Sequence, residues 1–160
     1  MNPEIKLKIN GLTYKLRVTP EKTLIDVLRD QLGLIGTKKG CNEGNGGAWT
    51  VLIDGLPMCS CLLLAVGLQN NEITTIEGSK MDEDIQIIQK AFVEVGAIQC
   101  GFCSPGMILS TKGLLDKNPN PSVYEIKEAF SGNICRCTGY KKIIKAIQTA
   151  SFQINEKKSL

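Results

Sequence analysis

Histidine is absent from all 160 residues. That absence excludes Cys₂His₂ zinc sites, Rieske centres, Ser-His-Asp triads and Cys-His nucleophiles together. Long apolar runs are missing too. The longest, Cys61 to Gly67, is far too short to span a bilayer. The N-terminus, Met1 to Lys8, alternates charged and apolar residues and lacks the apolar stretch of a secretory signal. The sequence therefore reads as cytosolic. No basic stripe accompanies the net charge of +3, and the lysines are scattered, so nucleic-acid binding has no support. Hydrophobic residues at 42% and charged residues at 22% are ordinary for a globular chain, enough for one domain or two small ones.

What is present is sulfur: seven cysteines. In a reducing compartment clustered cysteines point to metal binding more than to disulfides.

The first half has strand character. Ile5, Leu7 and Ile9 alternate with polar residues, Asn10-Gly11 signals a type I′ turn, and Leu12, Tyr14, Leu16 and Val18 alternate again. Thr23, with Asp26 three residues on, predicts a helix start. Leu24, Val27, Leu28 and Leu32 make the apolar stripe of that helix, and Gly33 ends it. A glycine-dense segment runs from Gly36 to Gly47. Trp49 to Asp54 reads as a strand, Gly55 as a turn, Met58 to Leu64 as a second apolar run, and Ile73 to Ile76 as a closing strand. Strands around one helix predict a small α+β unit.

The pattern changes near Gly78, and the boundary falls at about 78–82. Met81 to Val95 has helical periodicity through Ile85, Ile88, Ala91, Phe92 and Val95, and Met81-Asp82-Glu83-Asp84 suits a helix N-terminus. Pro105 marks another helix start. Asn118 to Pro121 breaks that helix. Ser122 with Glu125 is a capping box for a third helix running to about Phe130. A fourth spans roughly Lys141 to Ala150, and the polar tail after Asn155 is expected to be loose.

Cys100-x₂-Cys103 stands at a helix opening, where two thiolates can face one way. Cys135-x-Cys137 does not work from within a helix, since neighbours two apart point to opposite sides. It works from extended chain. Gly132-Asn133 and Thr138-Gly139 favour such a loop. Two pairs of thiolates converging from two loops suit one [2Fe–2S] cluster, whose net negative charge would be favoured by Arg136, between two of the ligands, and by backbone N–H groups. Two plainer readings stand beside it: structural cysteines in a core, and a Cys₄ zinc site. A zinc ribbon more commonly uses two CxxC knuckles, which the CxC arm does not match.

A second possible site lies earlier. Plant-type ferredoxins use C-x₄-C-x₂-C plus a distant cysteine. From Cys41 those slots hold Gly46 and Trp49, and Cys61 is the distant partner.

Taken together, the chain resembles the iron–sulfur subunit of the molybdenum hydroxylases, the xanthine dehydrogenase, aldehyde oxidoreductase, nicotinate dehydrogenase and CO dehydrogenase type. The resemblance covers nearly the whole chain. Its most specific parts are Gln99-Cys100-Gly101-Phe102-Cys103-Ser104-Pro105-Gly106 and Gly132-Asn133-Ile134-Cys135-Arg136-Cys137-Thr138-Gly139-Tyr140. It implies an α+β fold: a β-grasp ferredoxin-like domain over 1–78, then a four-helix [2Fe–2S]-binding domain over 79–154, with 155–160 as the tail. It implies one cluster in each domain. Cys100, Cys103, Cys135 and Cys137 would hold the cluster nearer the molybdenum–pterin. Cys41 and Cys61 remain of the cluster nearer the FAD. By the same resemblance Gln99 and Cys137 lie against the pterin, and both pterin and FAD belong to partner subunits or domains.

At Gly46 and Trp49 the chain departs from that family, which has cysteines there. Three explanations compete. The chain holds only the helical-domain cluster; it holds a labile cluster at Cys41, Cys59 and Cys61; or single-base differences, Cys→Gly and Cys→Trp, separate this sequence from its natural counterpart. The function expected is electron relay from the molybdenum–pterin toward FAD, with no bond-making residue in this chain. The alternative is a free-standing ferredoxin-like carrier or a zinc-stabilised adaptor.

Overall fold

The computed structural model describes residues 2–41 and 43–159. Met1, Asn42 of the glycine-rich loop and Leu160 at the end of the expected tail lie outside the described residues.

The N-terminal hairpin pairs β1 (Glu4–Ile9) with β2 (Leu12–Arg17) antiparallel. Asn10 at φ 51° and Gly11 at φ 74° supply the two left-handed residues that a type I′ turn requires. Ile5, Leu7 and Ile9 point into the core, while β2, at the sheet edge, stays largely open. The first helix opens as α1 (Leu24–Asp26) and widens at once into a π-helical turn over Val27–Gln31. Thr23 precedes it as expected, but its hydroxyl donates to Asp26 Oδ2 at 2.7 Å and caps no backbone N–H. Asp26 is drawn away by Lys39, 2.7 Å from its other oxygen. Gly33, at φ 68°, ends the helix.

Strands β3 (Thr50–Ile53), β4 (Leu56–Cys59) and β5 (Glu72–Thr74) complete a sheet of order β2-β1-β5-β3-β4. The expected closing strand is thus central, parallel to β1 and antiparallel to β3. The apolar run from Met58 is a strand only to Cys59, and short 3₁₀ turns cover Ala65–Leu68 and Ile76–Met81. Every residue of β3 is buried, because it is covered on both faces. Val51 and Ile53 join Leu7, Ile9, Leu24 and Leu28 in one core, and Leu52 joins the helices on the other side.

Helices α2 (Glu83–Glu94), α3 (Ser104–Lys117), α4 (Val123–Ala129) and α5 (Lys141–Lys158) follow. Asp82 caps α2 by accepting from Ile85 N at 3.0 Å. α2 and α5 pack through Ile85, Ile88, Phe92, Ile143, Ile147 and Ile154, and α3 lies across β3 and β4. The expected end of α5 near Ala150 and a loose tail beyond Asn155 give way to a helix through Lys158. Its last turns are held: Asn155 donates to Pro119 O at 3.0 Å, Lys157 pairs with Glu83, and Lys158 lies 3.3 Å from Asp84. Among the described residues no helix is long and apolar enough to cross a membrane.

The capping box at α4 is complete: Ser122 Oγ accepts from Glu125 N, and Glu125 Oε2 accepts from Ser122 N at 2.7 Å. The Ser122 hydroxyl, then its backbone N–H, hold the Glu125 carboxyl below the usual range. A folded-state pKa below the unfolded one stabilises at neutral pH, and that contribution fades as pH falls through the lowered value. Ser122→Ala is expected to cost about 1 kcal/mol at pH 7 and less in acid. Urea denaturation at the two pH values measures it, and an equal cost at both would contradict the assignment.

Candidate functional site

Four cysteines meet where the start of α3 faces the loop before α5. Gly101, at φ 81°, turns the chain between Cys100 and Cys103, and Cys103 is the residue on which α3 opens. Residues 136–138 form bends and not the extended chain expected for Cys135-x-Cys137. The bends separate the two sulfurs. Cys135 is buried, while Cys137 and Arg136 are exposed. The thiols therefore come in two pairs. Cys137 Sγ lies 3.5 Å from Cys100 Sγ on the exposed side. Cys103, half-buried, neighbours Cys135 on the inner side. Among the described residues no three His, Cys, Asp or Glu side chains converge on one ion position. Two pairs suit two metal ions with two thiolates each better than one tetrahedral zinc.

Thr138, expected to shape the loop, also bonds to a ligand-type sulfur. Its hydroxyl and its N–H donate to Cys135 Sγ at 3.2 and 3.5 Å. Tyr140, at φ 67°, accepts from Cys135 N through its hydroxyl at 2.8 Å. These are the groups that orient and tune a metal-bound sulfur. Burial opposes ionisation of Cys135, yet the bonds from Thr138, with the Cys137 N–H, bring its pKa below the ordinary value. At Cys103 burial pushes the pKa up to about 12, helped by the hydrogen bond and charge of Cys135, and a backbone hydrogen bond is the smallest influence. The contact with Cys100, then burial, raises Cys137. A bound cation reverses that cost, since it takes thiolates.

Asn133 is the second residue whose part was not legible. It is buried, accepts from Ser110 Oγ at 3.2 Å and donates to Gly47 O at 3.2 Å. Ile134 N donates to Gly46 O at 3.0 Å. The segment that carries Cys135 is thus tied directly to the early glycine-rich loop.

That loop is the other expected site. Cys61 is buried, Cys59 is half-buried and Cys41 is exposed. Burial raises the Cys61 pKa, with the neighbouring thiols of Cys59 and Cys41 adding to the effect. Trp49 is 2% exposed and packs with Ile25, Ala48 and Cys61. A Cβ placed on Gly40 would stand 2.5 Å from Trp49 Cζ3, and one on Gly46 would stand 3.1 Å from Cη2. The six-membered ring of the indole therefore lies against both loop glycines. Its Nε1 finds no acceptor among the described residues, a cost of roughly 1–3 kcal/mol. Of the four expected slots, two hold thiols. Gly46 has no donor atom and indole offers only an N–H, so the residues present do not fit a four-thiolate cluster.

Gln99 is exposed and precedes Cys100, whose sulfur meets Cys137. Phe102, between Cys100 and Cys103, is 47% exposed, and Ile134, before Cys135, is 57% exposed.

Residues 75–148 match the family described as the [2Fe-2S] binding domain. The chain is 47% identical over 146 residues to the nicotinate dehydrogenase small FeS subunit of Eubacterium barkeri, across 91% of this chain and 93% of that one. It is 45% identical over 155 residues to the aldehyde oxidoreductase of Megalodesulfovibrio gigas, covering 95% of this chain but 17% of that longer protein. Its structure superposes on a chain of quinoline 2-oxidoreductase from Pseudomonas putida 86 with a TM-score of 0.90 and 43% identity, over 97% of each chain.

Proposed function

Because this chain belongs to the iron–sulfur, electron-transfer subunits of the molybdenum hydroxylases, we propose that Cys100, Cys103, Cys135 and Cys137 hold one [2Fe–2S] cluster that relays electrons from a molybdenum–pterin subunit toward an FAD subunit. The observation that carries the reading is the meeting of these four thiols in two pairs, with Thr138 aimed at one of the sulfurs. When bound, such a cluster supplies reversible one-electron transfer. The chain's own residues do the rest. α3 and the loop before α5 fix the four sulfurs. Thr138 and Tyr140 orient Cys135. The apolar core beneath keeps water from the inner pair. No residue here makes or breaks a substrate bond.

The finer architecture belongs to the same proposal: a β-grasp ferredoxin-like unit over 1–78, followed by a four-helix unit from 79, in the cytoplasm. Gln99 and Cys137 are exposed, as contact with a partner's pterin requires, and the exposed Phe102 and Ile134, next to the ligands in sequence, offer apolar surface for docking. A relative that carries this region within one longer chain supports a partner bearing the rest of the enzyme.

Native purification tests the proposal. The chain is expected to co-purify with two larger subunits and to show the brown visible absorption of an iron–sulfur centre. A colourless, zinc-containing chain that purifies alone would sink it.

A further inference from the structure

We infer that this chain carries a single cluster, because Trp49 and Gly46 have converted the family's other cluster site into solid protein core. The inference rests on the electron-carrier reading above and concerns only the glycine-rich loop. The donor chemistry fails first: Cys41 and Cys61 remain, and the other two slots hold a residue without a side chain and one whose only polar atom is an N–H donor. Space fails second. The Trp49 ring is 2% exposed and touches Cys61, Ile25 and Ala48. The loop closes around it so tightly that a Cβ on Gly40 or Gly46 would meet the ring at 2.5 or 3.1 Å. Glycine at 46 leaves the ring room that a Cβ, at 3.1 Å, would crowd, so the two departures are sterically compatible. Cys59 does not rescue the site. It is half-buried at the end of β4, packs against the cluster of residues around Trp49, and leaves the volume of the ring filled.

The loop still has a structural task, since Gly46 O and Gly47 O accept the bonds that position the Cys135 segment. The tryptophan therefore keeps, by packing, a loop shape on which the remaining cluster depends.

Iron and acid-labile sulfide are measured on the full chain isolated without oxygen, with its mass confirmed. The expected content is about two irons and two sulfides per chain, unchanged in Cys41→Ala, Cys59→Ala and Cys61→Ala. Gly46→Cys combined with Trp49→Cys is expected to raise it to about four irons, with a second reduced-cluster signal in electron paramagnetic resonance. About four irons in the unmodified chain, iron lost on replacing Cys41, Cys59 or Cys61, or a folded double variant that stays at about two would each overturn the inference. If the double variant does not fold, the alanine variants decide. An unmodified chain without iron would instead sink the electron-carrier reading, which separates the two failures.

Discussion

Cys135→Ala is expected to empty the remaining centre: iron falls from about two per chain to near zero, and the visible absorption and electron relay go with it. Cys135 is buried and pairs inward with Cys103. Its loss leaves the inner metal position with one thiolate in an apolar setting where water is a poor substitute. Alanine serves better than serine, which would offer an oxygen ligand. The plain alternative, a structural cysteine, predicts something different: a modest loss of stability, about 1–2 kcal/mol for a small buried side chain, and unchanged iron. Thr138→Val sharpens the contrast. It removes the 3.2 Å hydroxyl donor to Cys135 Sγ but leaves the backbone donor at 3.5 Å. The iron should stay, and the reduction potential should fall, because one donor that stabilises added negative charge has gone. Iron analysis and a redox titration, with circular dichroism to confirm folding, read both variants. A folded Cys135→Ala chain with its full iron would reject the assignment.

The features legible in the sequence were those whose cause is local. Asn10-Gly11 forms its turn, and Ser122 with Glu125 its capping box, because the partners lie within three residues. Thr23 and Asp26 present a similar pattern. There the carboxylate is claimed by Lys39, thirteen positions away, so the cap is replaced by a side-chain contact. The same distinction explains α5. Its last turns are polar, and nothing in their own sequence shows that Pro119, Glu83 and Asp84 wait for them. The central place of β5 depends on pairing with β1, more than sixty residues earlier. At the site, cysteine spacing singled out four thiols, and the structure brings them near one another as Cys100 with Cys137 and Cys103 with Cys135. The separation into an exposed and a buried pair required the bends at 136–138, and the donors from Thr138 follow from those bends. The replacement of two cysteines by Gly46 and Trp49 was readable. The fit of the Trp49 ring against Gly40 and Gly46 was not.

Gly106→Ala shows how strongly the two halves depend on one another. Inside a helix, glycine to alanine ordinarily stabilises by about 1 kcal/mol. Gly106 sits in the first turns of α3, three residues after Cys103. A Cβ there would stand 2.2 Å from the carbonyl oxygen of Gly47 and 3.3 Å from Ala48 Cα. The obstacle is backbone, and that carbonyl also accepts the Asn133 side chain at 3.2 Å and the Thr50 hydroxyl at 2.8 Å. Moving it would strain both bonds. The steric cost therefore outweighs the propensity gain, and a net loss of about 1–3 kcal/mol is expected, a fall of several degrees in melting temperature. Gly113→Ala meets the ring of Pro57 at 2.3 Å and should lose less, because a proline on the edge strand β4 can shift. Gly67→Ala, with nothing within 4 Å, is the neutral control. In Gly106→Ala the damage reaches the sulfurs as well. Pushing α3 from the Gly47 carbonyl moves Cys103 at its start and strains the Asn133 bridge to Cys135, so iron should be lost more readily to a chelator in this variant than in Gly113→Ala. Equal chelation rates in the two would mean that the contact between α3 and the loop supports the fold without holding the cluster ligands in place.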